Sequence, residues 1–302
     1  MTFRFDDRVA IVTGSGSGLG RAHALGLAAA GARVVVNDAG GPDAAQRVEA
    51  VVAEIRTGGG EAIGFVADVR SPAEMFAMRE AALAAWNRID ILVNNAGMLR
   101  DRTFPRLDLD DFRAVLEVHL LGAANATRAV WDVFRERQYG RLVVTTSSSG
   151  LYGNFGQTNY AAAKAGLVGF MNVLHHEGAR HGIRVNALAP AAATRMTQGL
   201  LKDADLALLD PHAVTPGLLF LVGDTAPSRT ILSAGAGSFA VVKILETRGI
   251  YLPEDQRTPE AIAARLDEIM SLEGARELTG VLPQFEKLLG PAKATDTPLT
   301  AE

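Results

Sequence analysis

Short apolar runs rich in β-branched residues alternate along this chain with stretches of helical length, and glycine-rich turns separate them. Arg8 to Val12 is the first run, and Thr13-Gly14-Ser15-Gly16-Ser17-Gly18-Leu19-Gly20 follows at once. Arg21 to Ala30 then reads as an alanine-rich helix stopped by Gly31, and Arg33 to Asn37 as a second buried strand ending in Asp38. The alternation continues through a helix over 42–56, a turn at Thr57-Gly58-Gly59-Gly60 and a strand over 61–66 that ends near Asp68 and Val69. A helix over 72–87, a strand over 89–93 and one long helix over 108–136 come next. Arg141 to Thr146 is a fifth buried run, and Ile183 to Leu188 a sixth, ending at Pro190. Strands that alternate with helices predict an α/β fold, a doubly wound parallel sheet covered on both faces.

Two segments depart from this rhythm. Ala191 to Asp210 begins with small residues and turns helical, and it follows the carboxyl end of a strand, where open α/β sheets bind ligands. It is read as a substrate lid, with an ordinary connecting helix as the alternative. The second departure is the tail. Thr258 and Pro259 mark a helix start that continues to Met270, and 280–289 makes a further turn or two. The expected organisation is therefore one dinucleotide-fold domain over 1–240, lid included, and a helical extension over 241–302.

Composition narrows the function classes. Of 302 residues, 48% are hydrophobic and 21% charged, the proportions of an ordinary globular protein. The net charge of −4, from 30 basic and 34 acidic side chains, gives no broad reason to expect nucleic acid or an anionic membrane as partner. Without cysteine there is neither a disulfide nor a thiolate metal site, and His175 and His176 have no acid cluster near them in sequence. No metal site is expected. The amino terminus lacks the apolar core of a signal peptide, no apolar run approaches membrane-spanning length, and the last residues are not a Ser-Lys-Leu address. The expectation is a cytoplasmic protein.

The chemistry concentrates in two stretches. The strand–glycine turn–helix–strand unit over 8–38 suits a pyrophosphate: Gly14, Ser17, Gly18, Leu19 and Gly20 bring backbone and a helix amino terminus to it. Asp38 falls where a carboxylate accepts hydrogen bonds from a ribose diol and repels a 2′-phosphate, which favours NAD over NADP. Asp68 and Val69 end the third strand, and Asn94-Asn95-Ala96-Gly97 ends the fourth; Asp68, Val69, Asn95, Ala96 and Gly97 are further candidate nucleotide contacts. The second stretch runs from Ser147 to Lys164. Tyr160 and Lys164 stand four positions apart, hence on one face of a helix, and Gly150, Gly153 and Gly156 let the segment between fold Ser147 back towards them. A phenol ionises near ~10, and a neighbouring ammonium favours the phenolate. A hydroxyl, an acidified phenol and a lysine suit proton transfer to or from an alcohol or carbonyl oxygen. Trp86 and Trp131 read as packing residues. Arg100, Arg102 and Arg106 follow the Asn-Asn-Ala-Gly turn and offer cations for substrate phosphates, with ion pairs to Asp101 or Asp108 as the alternative.

Thr13-Gly14-x-x-x-Gly18-x-Gly20, Asn94-Asn95-Ala96-Gly97, Ser147 and Tyr160-x-x-x-Lys164, in that order, resemble the short-chain dehydrogenase/reductase family over roughly residues 5–240. The resemblance implies a Rossmann fold, Tyr160 as general base in alcohol oxidation, Lys164 as the residue that lowers its pKa and binds the nicotinamide ribose, and Ser147 as holder of the substrate oxygen. Most members carry asparagine where this chain has His119, which relays protons or fills the helix core. After Pro190, Ala191 and Arg195 replace the usual glycine and threonine, which moves the carboxamide contact to Thr194 or Thr197. Leu99-Arg100-Asp101-Arg102, Val118-His119-Leu120, the 150–157 segment and the tail from Gly235 resemble one subgroup, the (3R)-hydroxyacyl-CoA dehydrogenase part of peroxisomal multifunctional enzymes of type 2. That implies an NAD-dependent oxidation of a 3-hydroxyacyl-CoA in fatty-acid or steroid side-chain β-oxidation, and with no hydratase-sized segment following, a stand-alone dehydrogenase is expected. It also implies a homodimer whose tail, with Ile262, Leu266 and Ile269 as its apolar stripe, closes the partner's substrate cavity. A 17β-hydroxysteroid is the alternative substrate, and a nucleotide-sensing protein without catalysis the alternative class.

Overall fold

A computed structural model describes residues 3–39, 41–193 and 203–295, side chains excepted at 203–205 and 295. Thr194, Arg195, Thr197 and half of the expected lid lie outside the described residues. The chain divides into two compact units, Met1–Val241 and Val242–Glu302.

In the first unit the elements run β1 (Val9–Val12), α1 (Gly18–Ala29), β2 (Arg33–Asp38), α2 (Ala44–Thr57), β3 (Ala62–Val66), α3 (Pro72–Trp86) and β4 (Ile91–Asn94). They continue with α4 (Leu109–Leu116), α5 (Gly122–Arg137), β5 (Gly140–Thr145), α6 (Ser148–Tyr152), α7 (Thr158–Gly178) and β6 (Ile183–Pro190). Last come α8 (Asp203–Leu208), α9 (Thr215–Val222), β7 (Ile231–Gly235) and β8 (Ser238–Val242). The strands form one sheet in the order β3-β2-β1-β4-β5-β6-β7-β8, with every pairing from β3 to β7 parallel. Strand β8 is an addition to the expected sheet. Ala236 and Gly237, at φ 49° and 77°, make a two-residue turn, which reverses the chain and lays β8 along the β7 edge.

The central strands β1, β4 and β5 are covered on both faces and buried at every position, which is why they are mostly apolar. Alternate residues divide between the faces: Ala10, Val12, Val34, Val36, Ile91 and Val93 share a cluster with Leu27 of α1, Val48 and Val52 of α2, and Leu218 and Leu221 of α9. Their neighbours Val9, Ile11, Val35 and Leu92 are equally buried on the opposite face.

Two expected elements differ. The single helix over 108–136 is interrupted at Glu117–Leu121 by a π turn that carries the buried His119. A π turn is a single-turn bulge inside an otherwise helical run, and α4 and α5 stay helical on either side of it. The 147–157 segment is not all loop, because Ser147 caps the short helix α6, its hydroxyl accepting from Ser149 N at 3.1 Å.

The second unit contains α10 (Pro259–Ala264), α11 (Leu266–Met270) and α12 (Val281–Thr295). Thr258 caps α10 as the sequence indicates, its hydroxyl accepting from Ala261 N at 3.1 Å. Arg265, at φ −116°, leaves helical geometry and splits the expected continuous helix in two. Ile262 and Leu266 stay 49% exposed, so the apolar stripe is not covered. An antiparallel bridge between Glu246 and Arg276 and the ion pair of Lys287 with Glu246 tie this unit together.

At the amino edge of the main sheet, the buried Asp90 carboxylate accepts from Val9 N at 2.8 Å and from Arg88 at 2.7 and 2.8 Å, with Arg8 at 3.3 Å. It ties β1 to the start of β4. Asp90→Ala strands a buried N–H and takes a carboxylate from Arg88 and from Arg8, which keeps Asp224, and is expected to cost about 2–4 kcal/mol. Urea denaturation of the variant with an unchanged slope checks this.

Candidate active site

The parallel strands deliver their carboxyl ends to one edge, and the strand order reverses between β1 and β4. That is the crevice in which open α/β sheets take nucleotides. The turn after β1 is shaped by Gly14 and Gly18, at φ 62° and 56°. A Cβ on Gly14 would come within 2.7 Å of Ala96 Cα, and one on Gly20 within 2.3 Å of Gly14 O. The turn is fastened from β4: Thr13 Oγ1 accepts from Asn95 N and Ala96 N at 3.0 and 3.1 Å, and Asn95 Nδ2 donates to Thr13 O and Gly14 O. Asn95 and Ala96 thus hold the glycine turn in place. Helix α1 starts at Gly18 without a side-chain cap from Ser17, so its first N–H groups suit an anion. Leu19 is buried behind them.

At the end of β2, Asp38 Oδ1 accepts from Ala39 N at 2.7 Å, and Oδ2 from Arg47 Nε at 3.3 Å. These features fit a dinucleotide: a cradle that any Cβ would fill, a helix amino terminus and a carboxylate beyond it. Asp68 is engaged differently. Its carboxylate is paired with Arg70 at 2.6 Å, and that hydrogen bond holds its pKa below the usual range. Val69 is buried against Gly122, where a Cβ would approach Val69 Cγ2 to 2.6 Å.

The second stretch closes over the ends of β4 and β5. Gly150 is the reason α6 lies against α7: a Cβ there would stand 2.6 Å from Lys164 Cβ and 2.8 Å from Ala165 N. That approach brings Ser147, the cap of α6, close to Tyr160 of α7. Lys164 is buried, its Nζ donating to Thr145 O at 2.5 Å and lying 5.5 Å from the centre of the Tyr160 ring. Burial pushes the Lys164 pKa down to about 7. The acidified phenol expected at Tyr160 is not found. Burial raises its pKa, the Ser147 hydrogen bond opposes the rise, and Asp101 adds to it. Desolvation of the phenolate outweighs what the neighbours return.

His119 lies beneath this cluster. Its Nε2 is 3.0 Å from Met98 N and 2.8 Å from Met98 O, and its ring meets Tyr160 edge-on at 5.1 Å. Burial, then the Lys164 charge, lowers its pKa to about 3. Nδ1 has no hydrogen-bond partner among the described residues, and neither have Asn94 Oδ1 and Thr145 Oγ1 close by. Gly97 is required here, since a Cβ would sit 2.3 Å from the imidazole Cε1.

Sequence reasoning missed a clasp at the mouth. Gln157 Nε2 donates to Asp101 Oδ2 at 2.7 Å, while Ser149 Oγ and Asn154 Nδ2 donate to Gln157 Oε1 at 2.8 and 3.0 Å. Asn159 adds a bond to Arg100 O at 2.9 Å. The signal was a buried amide between Gly156 and Tyr160, readable only once its partner on the 98–103 loop was known. Of the three mouth arginines, Arg100 pairs with Asp111 at 3.4 Å and Arg102 bonds to Asp101 O.

The family model described as short chain dehydrogenase matches residues 8–205. A short-chain type dehydrogenase/reductase of Mycobacterium tuberculosis is 44% identical over 276 residues, which cover 89% of this chain and 96% of the relative. Peroxisomal multifunctional enzyme type 2 of Mus musculus is 40% identical over 280 residues; the match covers 90% of this chain but only 38% of the mouse protein. Among solved structures, full-length peroxisomal multifunctional enzyme type 2 from Drosophila melanogaster superposes with a TM-score of 0.82 at 32% identity, over 97% of this chain and 50% of that one. A 7α-hydroxysteroid dehydrogenase complexed with NADH and 7-oxo glycochenodeoxycholic acid gives 0.72 at 29% identity, over 78% of this chain and 96% of that one.

The buried lysine sets a pH signature. A folded-state pKa of about 7, below the ordinary 10.5, means the unfolded chain binds more protons between these values, so Lys164 makes stability rise with pH from 7 upwards. Relative to Lys164→Met, the wild-type Tm is expected to climb by about 2–4 °C per pH unit between pH 7 and 9. Thermal melts of both proteins at four pH values measure the difference; parallel curves would contradict a buried neutral amine.

Proposed function

The chain belongs to the short-chain dehydrogenase family, and on that premise we propose that this oxidoreductase oxidises the secondary alcohol of a (3R)-hydroxyacyl-CoA to the ketone with NAD. The observation that carries the reading is the packing of the Ser147-capped α6 against α7 at Gly150, where the buried Lys164 lies 5.5 Å from the centre of the Tyr160 ring. A nicotinamide held at this edge supplies the hydride acceptor. Gly14, Ser17, Gly18, Leu19 and Gly20 bind the dinucleotide pyrophosphate, with Ala96 and Gly97 beside it, and Asp38 takes the adenosine ribose. Asp68, Val69 and Asn95 complete the nucleotide wall.

Tyr160 takes the alcohol proton while Ser147 holds the same oxygen. Burial costs the phenolate and the ammonium alike, yet a phenolate formed beside protonated Lys164 has its charge compensated at close range. Lys164 therefore works as an ammonium when the phenol gives up its proton, and it also holds the nicotinamide ribose. His119 acts as a positioning residue, since its Nε2 is committed to the Met98 backbone and its ring abuts Tyr160.

The subgroup similarity supports the acyl-CoA substrate, and the arginines at the mouth suit its phosphates. A hydroxysteroid is the second reading, favoured by the structural likeness to a hydroxysteroid dehydrogenase. A homodimer in the cytoplasm completes the proposal. The exposed Ile262 and Leu266 supply an apolar face for self-association, and sedimentation velocity of the full chain measures it. No nucleic-acid or membrane partner is proposed; among the described residues no helix is long and apolar enough to cross a membrane.

NADH formation from (3R)- and (3S)-hydroxyacyl-CoAs and a 17β-hydroxysteroid separates the substrates. Only the (3R) series is expected to turn over at high kcat/KM. Tyr160→Phe is expected to lower kcat at least ~10²–10⁴-fold with NAD affinity kept. Near-normal turnover by that variant would remove Tyr160 as the base.

A further inference from the structure

We propose that Asp101 and Gln157 are positioning residues for Tyr160, a clasp that pins the 98–102 loop to the start of α7 and holds a carboxylate on the phenol's side of that helix. The inference rests on the reading of Tyr160 as the base. Gln157 and Tyr160 occupy the N-cap and third positions of α7, whose side chains are neighbours on one face. The Gln157 side chain makes no capping bond. It turns to the loop instead, where Nε2 donates to Asp101 Oδ2 at 2.7 Å, and its Oε1 accepts from Ser149 and Asn154. Two further crossings flank the clasp. Arg102 N donates to Gly156 O at 3.0 Å, and the buried Asn159 donates from Nδ2 to Arg100 O at 2.9 Å. Asn159 Oδ1 in turn accepts from Tyr160 N at 2.8 Å.

The loop is held at its other end as well. His119 engages the Met98 backbone, and its ring meets Tyr160 edge-on. The contacts close a circuit, from Tyr160 through His119 and Met98 along the loop to Arg100 and Asn159, and back to Tyr160. The place of the phenol therefore depends on the loop, and the clasp sits at the loop's middle. Charge enters through the same link. Around the phenol stand Lys164 of its own helix, His119 of the π turn and Asp101 of the loop. Asp101 is the acid among these three, and its charge opposes ionisation of the phenol. Its Oδ1 is buried with no hydrogen-bond partner among the described residues, so the Gln157 amide is what fixes the carboxylate.

Two substitutions separate position from charge. Asp101→Asn keeps an oxygen for Gln157 and removes the charge, whereas Gln157→Met removes the donor and keeps the charge. Each is compared with wild type and Tyr160→Phe for NADH formation from a (3R)-hydroxyacyl-CoA between about pH 6 and 10, with circular dichroism and Tm confirming the fold. Gln157→Glu, which still accepts from Ser149 and Asn154, repeats the series in case Met disturbs the turn. Asp101→Asn is expected to move the rising limb of kcat/KM to lower pH, a gain of about three- to tenfold on its acid side. Gln157→Met is expected to lower kcat about tenfold or more, with KM for NAD within about twofold. Asp101→Asn added to Gln157→Met should change the acid side by less than about twofold, because the carboxylate has then lost its place. A limb that stays put in Asp101→Asn, or wild-type kcat in both Gln157 variants, overturns this proposal, and an inactive Tyr160→Phe then leaves the base standing. Turnover retained by Tyr160→Phe overturns the base itself, and this proposal with it.

Discussion

A lysine buried at the end of a parallel strand governs the geometry of this molecule's candidate site. Lys164 reaches across from α7 to donate to Thr145 O, and Thr146 Oγ1 returns a bond of 2.8 Å to Lys164 O. The two bonds lock the helix to the carboxyl end of β5, so the residue one turn earlier, Tyr160, has one place to go. Burying an amine opposes its charge, and a site that holds it there keeps the group poised between its protonation states near neutrality. Ser147 follows the same strand and caps α6, which lies against α7.

The rest of the cleft accommodates that lock. Helix α6 can lie on α7 only because Gly150 has no side chain, and the imidazole of His119 reaches Met98 only because Gly97 has none. The π turn at Glu117–Leu121 sets the imidazole inward at the level of Tyr160. Nδ1 of His119, Asn94 Oδ1 and Thr145 Oγ1, none with a partner among the described residues, make this a polar interior. Such concessions collect at functional sites, where the surrounding packing over-determines the arrangement. At the opposite edge of the sheet, Asp90 is satisfied by Arg8, Arg88 and Val9 N.

Sequence and structure divide the credit unevenly, and particular residues show why. The alternation of apolar runs and glycine turns determined the six strands β1 to β6 and the placing of Asp38, Asn95, Ser147, Tyr160 and Lys164 at strand ends or on one helix face. These are local facts: a strand buried on both faces has to be apolar throughout, and four positions on a helix make one turn. The tertiary structure decided whatever depended on a partner distant in sequence. It put Arg47 against Asp38 and Gln157 against Asp101, inserted a π turn where periodicity shows none, and split the helix at Arg265. It also reversed the expected direction of the Tyr160 pKa. The spacing to Lys164 could be read along the chain, whereas the desolvation that outweighs it arises only when α6, α7 and the 98–103 loop enclose the phenol.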